Sequence, residues 1–266
     1  FESLKKLRRE KEFKGLWGKY FSENRLAYVI TGLFVGFLAA ISFNYVLLFA
    51  LVFSAISMVA SLLLTETGTK QKKEFSSHFS DVFKLVWTNK KLFYTIIYFG
   101  LLGGFAEATF KFNQAYYQLI GLPLMFFGVF FAISNIAGFL TARYTIQIEK
   151  KLGERKSVLI LPVFICLSYF GLWIHASLLS LLIFIFEDGL YSFRYTVGAH
   201  EINKFTKKRN RSTVVSVYGL TLSLFTAAMS LVFGFMGNYG ITSIYLTGGI
   251  ILAVLIAYPT YYLLKK

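Results

Sequence analysis

Residues 45–64, YVLLFALVFSAISMVASLLL, run for twenty residues without a charge. A bilayer hydrocarbon core is about 30 Å thick, and at about 1.5 Å per residue a helix needs roughly 20 apolar residues to cross it. The stretch therefore reads as a membrane-spanning helix. A barrel strand would be about ten residues long with in-and-out alternation, whereas 45–64 is apolar on every side. Working outward, one run of the same kind precedes it, at 26–42. Six follow, at 92–112, 122–142, 158–174, 177–194, 213–236 and 241–264. The expected fold is all-α, a multi-pass membrane protein of about eight spans. Of 266 residues, 56% are hydrophobic and 15% charged, which suits a lipid-facing surface better than a soluble one.

The placement of charge sets the topology. The connections at 43–44, 113–121, 175–176 and 237–240 carry no Lys or Arg. Of the 28 Lys and Arg, all but Lys111 fall within 1–25, 65–91, 143–156, 194–211 and 265–266. By the positive-inside rule those segments are cytoplasmic, so both termini lie inside and the number of spans is even. The formal charge of +15 is thus divided among connections instead of gathered on one polar face, so no nucleic-acid partner is expected. The lead-in 1–24 is basic with Leu4, Leu7, Phe13, Leu16 and Trp17 interspersed. It reads equally as a solvated connection or as a segment lying on anionic lipid. Phe1 is neither an initiator methionine nor the start of a signal peptide, and the expectation is a chain whose beginning is missing.

Cysteine and histidine exclude several chemistries. Cys166 stands alone inside an apolar run, and His78, His175 and His200 are scattered, so no disulfide framework, metal site or cofactor is expected. An embedded enzyme would need a cluster of His, Asp or Glu near a membrane face, and none is seen.

Charge inside the bilayer is the functional signal, because each such side chain costs about 2.5 to 3.5 kcal/mol even on lenient scales. Counted from Ser177, Glu187 and Asp188 lie about 15 to 17 Å deep, near the midplane. Tyr191 and Arg194 share the face of Glu187, with Arg194 about 10 Å nearer the cytoplasm. Neighbouring helix residues point about 100° apart, so Glu187 is expected in a cavity and Asp188 against a neighbouring helix. Gly189 offers a place for the helix to break. Two adjacent carboxylates are costly when both are charged, which makes the pair a candidate for proton coupling or for binding a cationic substrate. Glu107 and Lys111, four apart with the acid first, are expected to pair within one helix near the outer end, as outer-gate or substrate candidates. Gly32 and Gly36, and likewise Gly100, Gly103 and Gly104, are placed to let helices approach closely.

Short motifs carry a family resemblance. Arg211-Ser212-Thr213-Val214-Val215-Ser216, preceded by Glu201-Ile202-Asn203 and followed by Phe233-Gly234-Phe235-Met236-Gly237, resembles the entry to the eleventh helix of bacterial drug-efflux-like members of the major facilitator superfamily. Phe1-Glu2-Ser3-Leu4 with Glu12-Phe13-Lys14-Gly15 and Gly18-Lys19 is similar to the stretch joining that family's fourth and fifth helices, with Lys19 where Arg is usual. Glu149-Lys150-Lys151-Leu152-Gly153-Glu154-Arg155-Lys156 resembles its loop between the eighth and ninth helices.

The resemblance implies that the eight spans correspond to helices five to twelve, the first four being absent. Residues 1–64 would then be the remnant of an amino-terminal bundle, 65–91 the central cytoplasmic loop and 92–266 the carboxy-terminal six-helix bundle. It further implies transport of a small-molecule substrate by alternating access in the cytoplasmic membrane, proton-coupled, with Arg211, Glu149 and Arg155 as cytoplasmic gate candidates. The alternatives are a non-transporting membrane scaffold or receptor of the same fold, and a membrane-embedded enzyme.

Overall fold

The computed structural model describes residues 12–63, 84–206 and 211–265. These residues form helices and connections, with no strand among them. In chain order the helices are α1 (Phe13–Ile41), α2 (Phe43–Leu62), α3 (Lys90–Phe110), α4 (Asn113–Leu119), α5 (Phe127–Arg143), α6 (Thr145–Leu152), α7 (Glu154–Ile174), α8 (Ser180–Lys204), α9 (Arg211–Gly237) and α10 (Ile241–Leu264). A 3₁₀ turn, Leu124–Phe126, leads into α5. Among the described residues, six segments are long and apolar enough to cross a membrane: α2, α3, Leu124–Arg143, Arg155–Ile174, α9 and α10.

The other two expected spans lie in α1 and α8. Both helices are long, with 29 and 25 residues, but each carries charge along its length. Glu187, Asp188 and Arg194 sit within α8, and Lys19, Glu23 and Arg25 within the first half of α1. From Phe13 onward the basic lead-in is the first half of the same helix. Earlier residues, Leu64 and residues 65–83 of the expected central loop lie outside the described residues. The connections at 113–121 and 143–156 hold the short helices α4 and α6.

Sequence explains the turns and the contacts. Ser42 alone separates α1 from α2; it is extended, and its Oγ accepts from the Asn44 amide at 3.3 Å, so one residue both ends one helix and caps the next. α1 lies along α5, and α8 lies on the same helix. α1 comes close because Gly32, Gly36 and Gly128 meet: a Cβ on Gly128 would fall 2.7 Å from the Gly32 carbonyl oxygen and 2.9 Å from the Gly36 Cα. Small residues permit such contact where no hydrophobic drive between helices exists. On the other side α3 packs on α9 and α10 on α7, around a core that includes Tyr98, Phe105, Tyr169, Phe184, Phe233 and Tyr245. α2 fully buries none of its residues and touches the rest through α1, so most of its apolar surface is exposed, as that of a lipid-facing span is.

Candidate functional site

A cavity of about 510 Å³ opens between α1, α3, α7 and α8, with Phe131 of α5 and Asn113 of α4 on its wall. Glu107, Glu187, Asp188, Tyr191 and Arg194, all expected from sequence as functional, line it together. Arg25 lines it as well. It reaches in from α1, its Nη1 donating to Asn135 Oδ1 at 2.7 Å and to Asp188 Oδ1 at 3.4 Å. Asn135 is held in that orientation by its own Nδ2, which donates to the Phe131 carbonyl at 2.9 Å.

Tyr191 ties the charges together. The guanidinium carbons of Arg25 and Arg194 lie 4.9 and 4.7 Å from its ring centroid, a favourable use of the negative ring face. Its hydroxyl donates to Glu107 Oε1 at 2.8 Å, linking α8 to α3. Arg194 is only 1% exposed. Its Nη1 donates to the Phe99 carbonyl at 3.3 Å and to the Tyr218 hydroxyl at 3.4 Å. The Nε and Nη2 edge has no hydrogen-bond partner among the described residues. Gly103 makes the room for it, since a Cβ there would stand 2.5 Å from Nη1.

Glu187 Oε1 is likewise buried without a hydrogen-bond partner among the described residues. Two of the three carboxylates are thus engaged, Asp188 by Arg25 and Glu107 by Tyr191. Glu187 and one edge of Arg194 are left to meet an incoming group. Buried polar atoms left so are costly, and they are commonly functional.

Three sequence expectations need correction. Glu107 and Lys111 do not pair: α3 ends at Phe110, and Lys111 turns to donate to Ser230 Oγ on α9 at 3.1 Å. The cation facing Asp188 is Arg25, which the charge pattern assigned to a cytoplasmic connection; Arg25 and Arg194 are both inside the bundle. α8 is unbroken at Gly189 and starts at Ser180, so Glu187 sits about 10 Å from its N-terminal end, nearer to it than counting from Ser177 implied. The gate candidates lie on separate helices. Arg211 begins α9, Glu149 lies in α6, and Arg155 in the first turn of α7 forms no ion pair among the described residues and lines a separate cavity.

Arg25, on the cavity wall, and its partner Asn135 are the residues of the candidate site that sequence reasoning missed. Asn135 had a signal, a lone amide in the middle of the run 122–142, which the cost of polar groups in lipid flags. No group of His, Cys, Asp and Glu able to hold a metal occurs among the described residues. No protein-family model matches the chain, and a search of curated proteins returns no match.

Proposed function

We infer that the chain transports a small solute by alternating access, with Glu187 as the group that exchanges a proton or meets a cationic part of the substrate. The observation that carries this reading is the 510 Å³ cavity, which gathers three carboxylates and two guanidiniums among long apolar helices. So many charges in such a setting have a cost that solute binding explains and lipid-facing structure does not. Its size falls in the range of small-ligand sites, about 300 to 1,000 Å³. α1 and α8 count as spans in this reading, giving eight with both termini cytoplasmic, arranged like helices five to twelve of the major facilitator fold in a cell membrane.

Reconstitution tests it. In sealed proteoliposomes, a panel of cationic, anionic, zwitterionic and neutral solutes is applied with and without a pH gradient while internal pH is followed. A solute-dependent proton movement is expected in the wild type. Glu187→Gln should abolish it while leaving solute exchange. Unchanged proton movement in Glu187→Gln removes the assignment, and no solute movement with any member of the panel favours the scaffold reading.

A further inference from the structure

A second cavity, of about 370 Å³, lies at the opposite end of the helices from Lys111, between the start of α3, the start of α7 and the ends of α8 and α10. Lys91, Arg155, Lys204 and Lys265 line it, against Glu201 as the one carboxylate on its wall among the described residues. Glu201 and Lys204 approach to 3.9 Å. Lys91, Arg155 and Lys265 form no ion pair with a carboxylate among the described residues. α3 has no acidic residue in its first turn, so the positive end of its dipole adds to the field of the lysines. Cations placed only to set topology need no cavity between them.

The rest of the wall says what kind of anion fits. Val158, Leu263 and Leu264 are apolar, and Tyr262 stands among them. Tyr262 continues into an aromatic cluster with Tyr94, ring centroids 4.1 Å apart, and Tyr94 is 5.5 Å from Tyr258. Tyr258 is exposed. Tyrosine clusters at helix ends mark the headgroup level of a membrane. A site that is cationic inside, partly aliphatic and flanked by interfacial tyrosines fits a ligand with a phosphate at one end and acyl chains at the other.

We propose that this cavity binds the phosphate headgroup of an anionic phospholipid from the cytoplasmic leaflet, clamped by Lys91 and Arg155. It rests on the placement in a membrane and on the cytoplasmic side assigned by charge, independently of any transport activity. Basic pockets between spans on that side attract such headgroups.

The test uses the whole chain in micelles, with phosphatidylglycerol and phosphatidylcholine of matched acyl chains offered together and retained lipid read by native mass spectrometry. Wild type should retain phosphatidylglycerol about tenfold over phosphatidylcholine. Lys91→Gln with Arg155→Gln should erase the preference, whereas Lys150→Gln with Lys151→Gln on α6, the same change of charge away from the cavity, should keep it. Equal loss in both double variants, or none in the first, overturns the proposal. Displacement of the lipid by millimolar inorganic phosphate also overturns it, since the ligand would then be a soluble anion. A photoactivatable phosphatidylglycerol on the unaltered protein should cross-link to the peptides holding Lys91 and Tyr262, and cross-links confined elsewhere contradict the site even if a variant fails to fold.

Discussion

Replacing Arg25 by Ala removes the one ion-pair partner that Asp188 has among the described residues, along with the 2.7 Å hydrogen bond to Asn135 and the stacking on Phe21 and Tyr191. Breaking a buried pair by deleting one member costs about 3 to 5 kcal/mol, mostly from the stranded charge. The Arg25 side chain is 8% exposed but that of Asp188 is 24% exposed, so water in the cavity offsets part of the loss and about 2 to 4 kcal/mol remains. Asp188→Asn takes away the stranded charge. The double variant Arg25→Ala/Asp188→Asn should therefore recover about 1 to 2 kcal/mol relative to the sum of the single effects, a coupling typical of touching groups. Reversible denaturant unfolding in micelles, followed by helical circular dichroism, measures all four corners of the cycle. A single-variant loss under about 0.5 kcal/mol, the range of ordinary surface changes, together with no coupling, would mean that Arg25 is a solvated charge and not a member of the site.

Gly128→Ala should destabilise the bundle by about 1 to 3 kcal/mol, because its methyl meets backbone of α1 that has nowhere to go. Gly234→Ala, with nothing within 4 Å of the new Cβ, should be neutral or stabilising by up to about 1 kcal/mol in the same unfolding measurement. Single cysteines at Asn44, Gln118 and Tyr239, in a Cys166→Ala background, should react with an impermeant maleimide from outside intact cells. One at Gln147 should react only after permeabilisation, and external labelling there would overturn the topology.

The long apolar helices were legible because lipid demands length and uniformity. α10 coincides with the expected 241–264, and α9 is two residues longer at its start and one at its end than the expected 213–236. α1 was read short by 13 residues at its start, since Lys19, Glu23 and Arg25 look like topogenic charge in a linear string. Folded, Lys19 and Glu23 form an exposed pair four apart at 3.8 Å, while Arg25 turns inward with Phe21. The short helices α4 and α6, of 7 and 8 residues, fall below the length that a bilayer selects, so no long apolar run marks them in the sequence. At the site, the α8 residues and Glu107 were legible from the cost of burying charge. Their partners were not, because Arg25 and Asp188 lie 163 residues apart and the folded packing of α1 against α8, both of them on α5, brings them together. The glycines at 32 and 36 announced a close helix approach, and the contact on Gly128 supplies the helix they approach.

Side-specific accessibility of the first cavity tests the transport reading most directly. Ala106 lines that cavity on α3, and Ala106→Cys in a Cys166→Ala background puts a small thiol there. In sealed vesicles of right-side-out and inside-out orientation, an impermeant thiol reagent should label this position in both, because a site of alternating access faces each side in turn. Labelling in one orientation alone, or in neither, would contradict it.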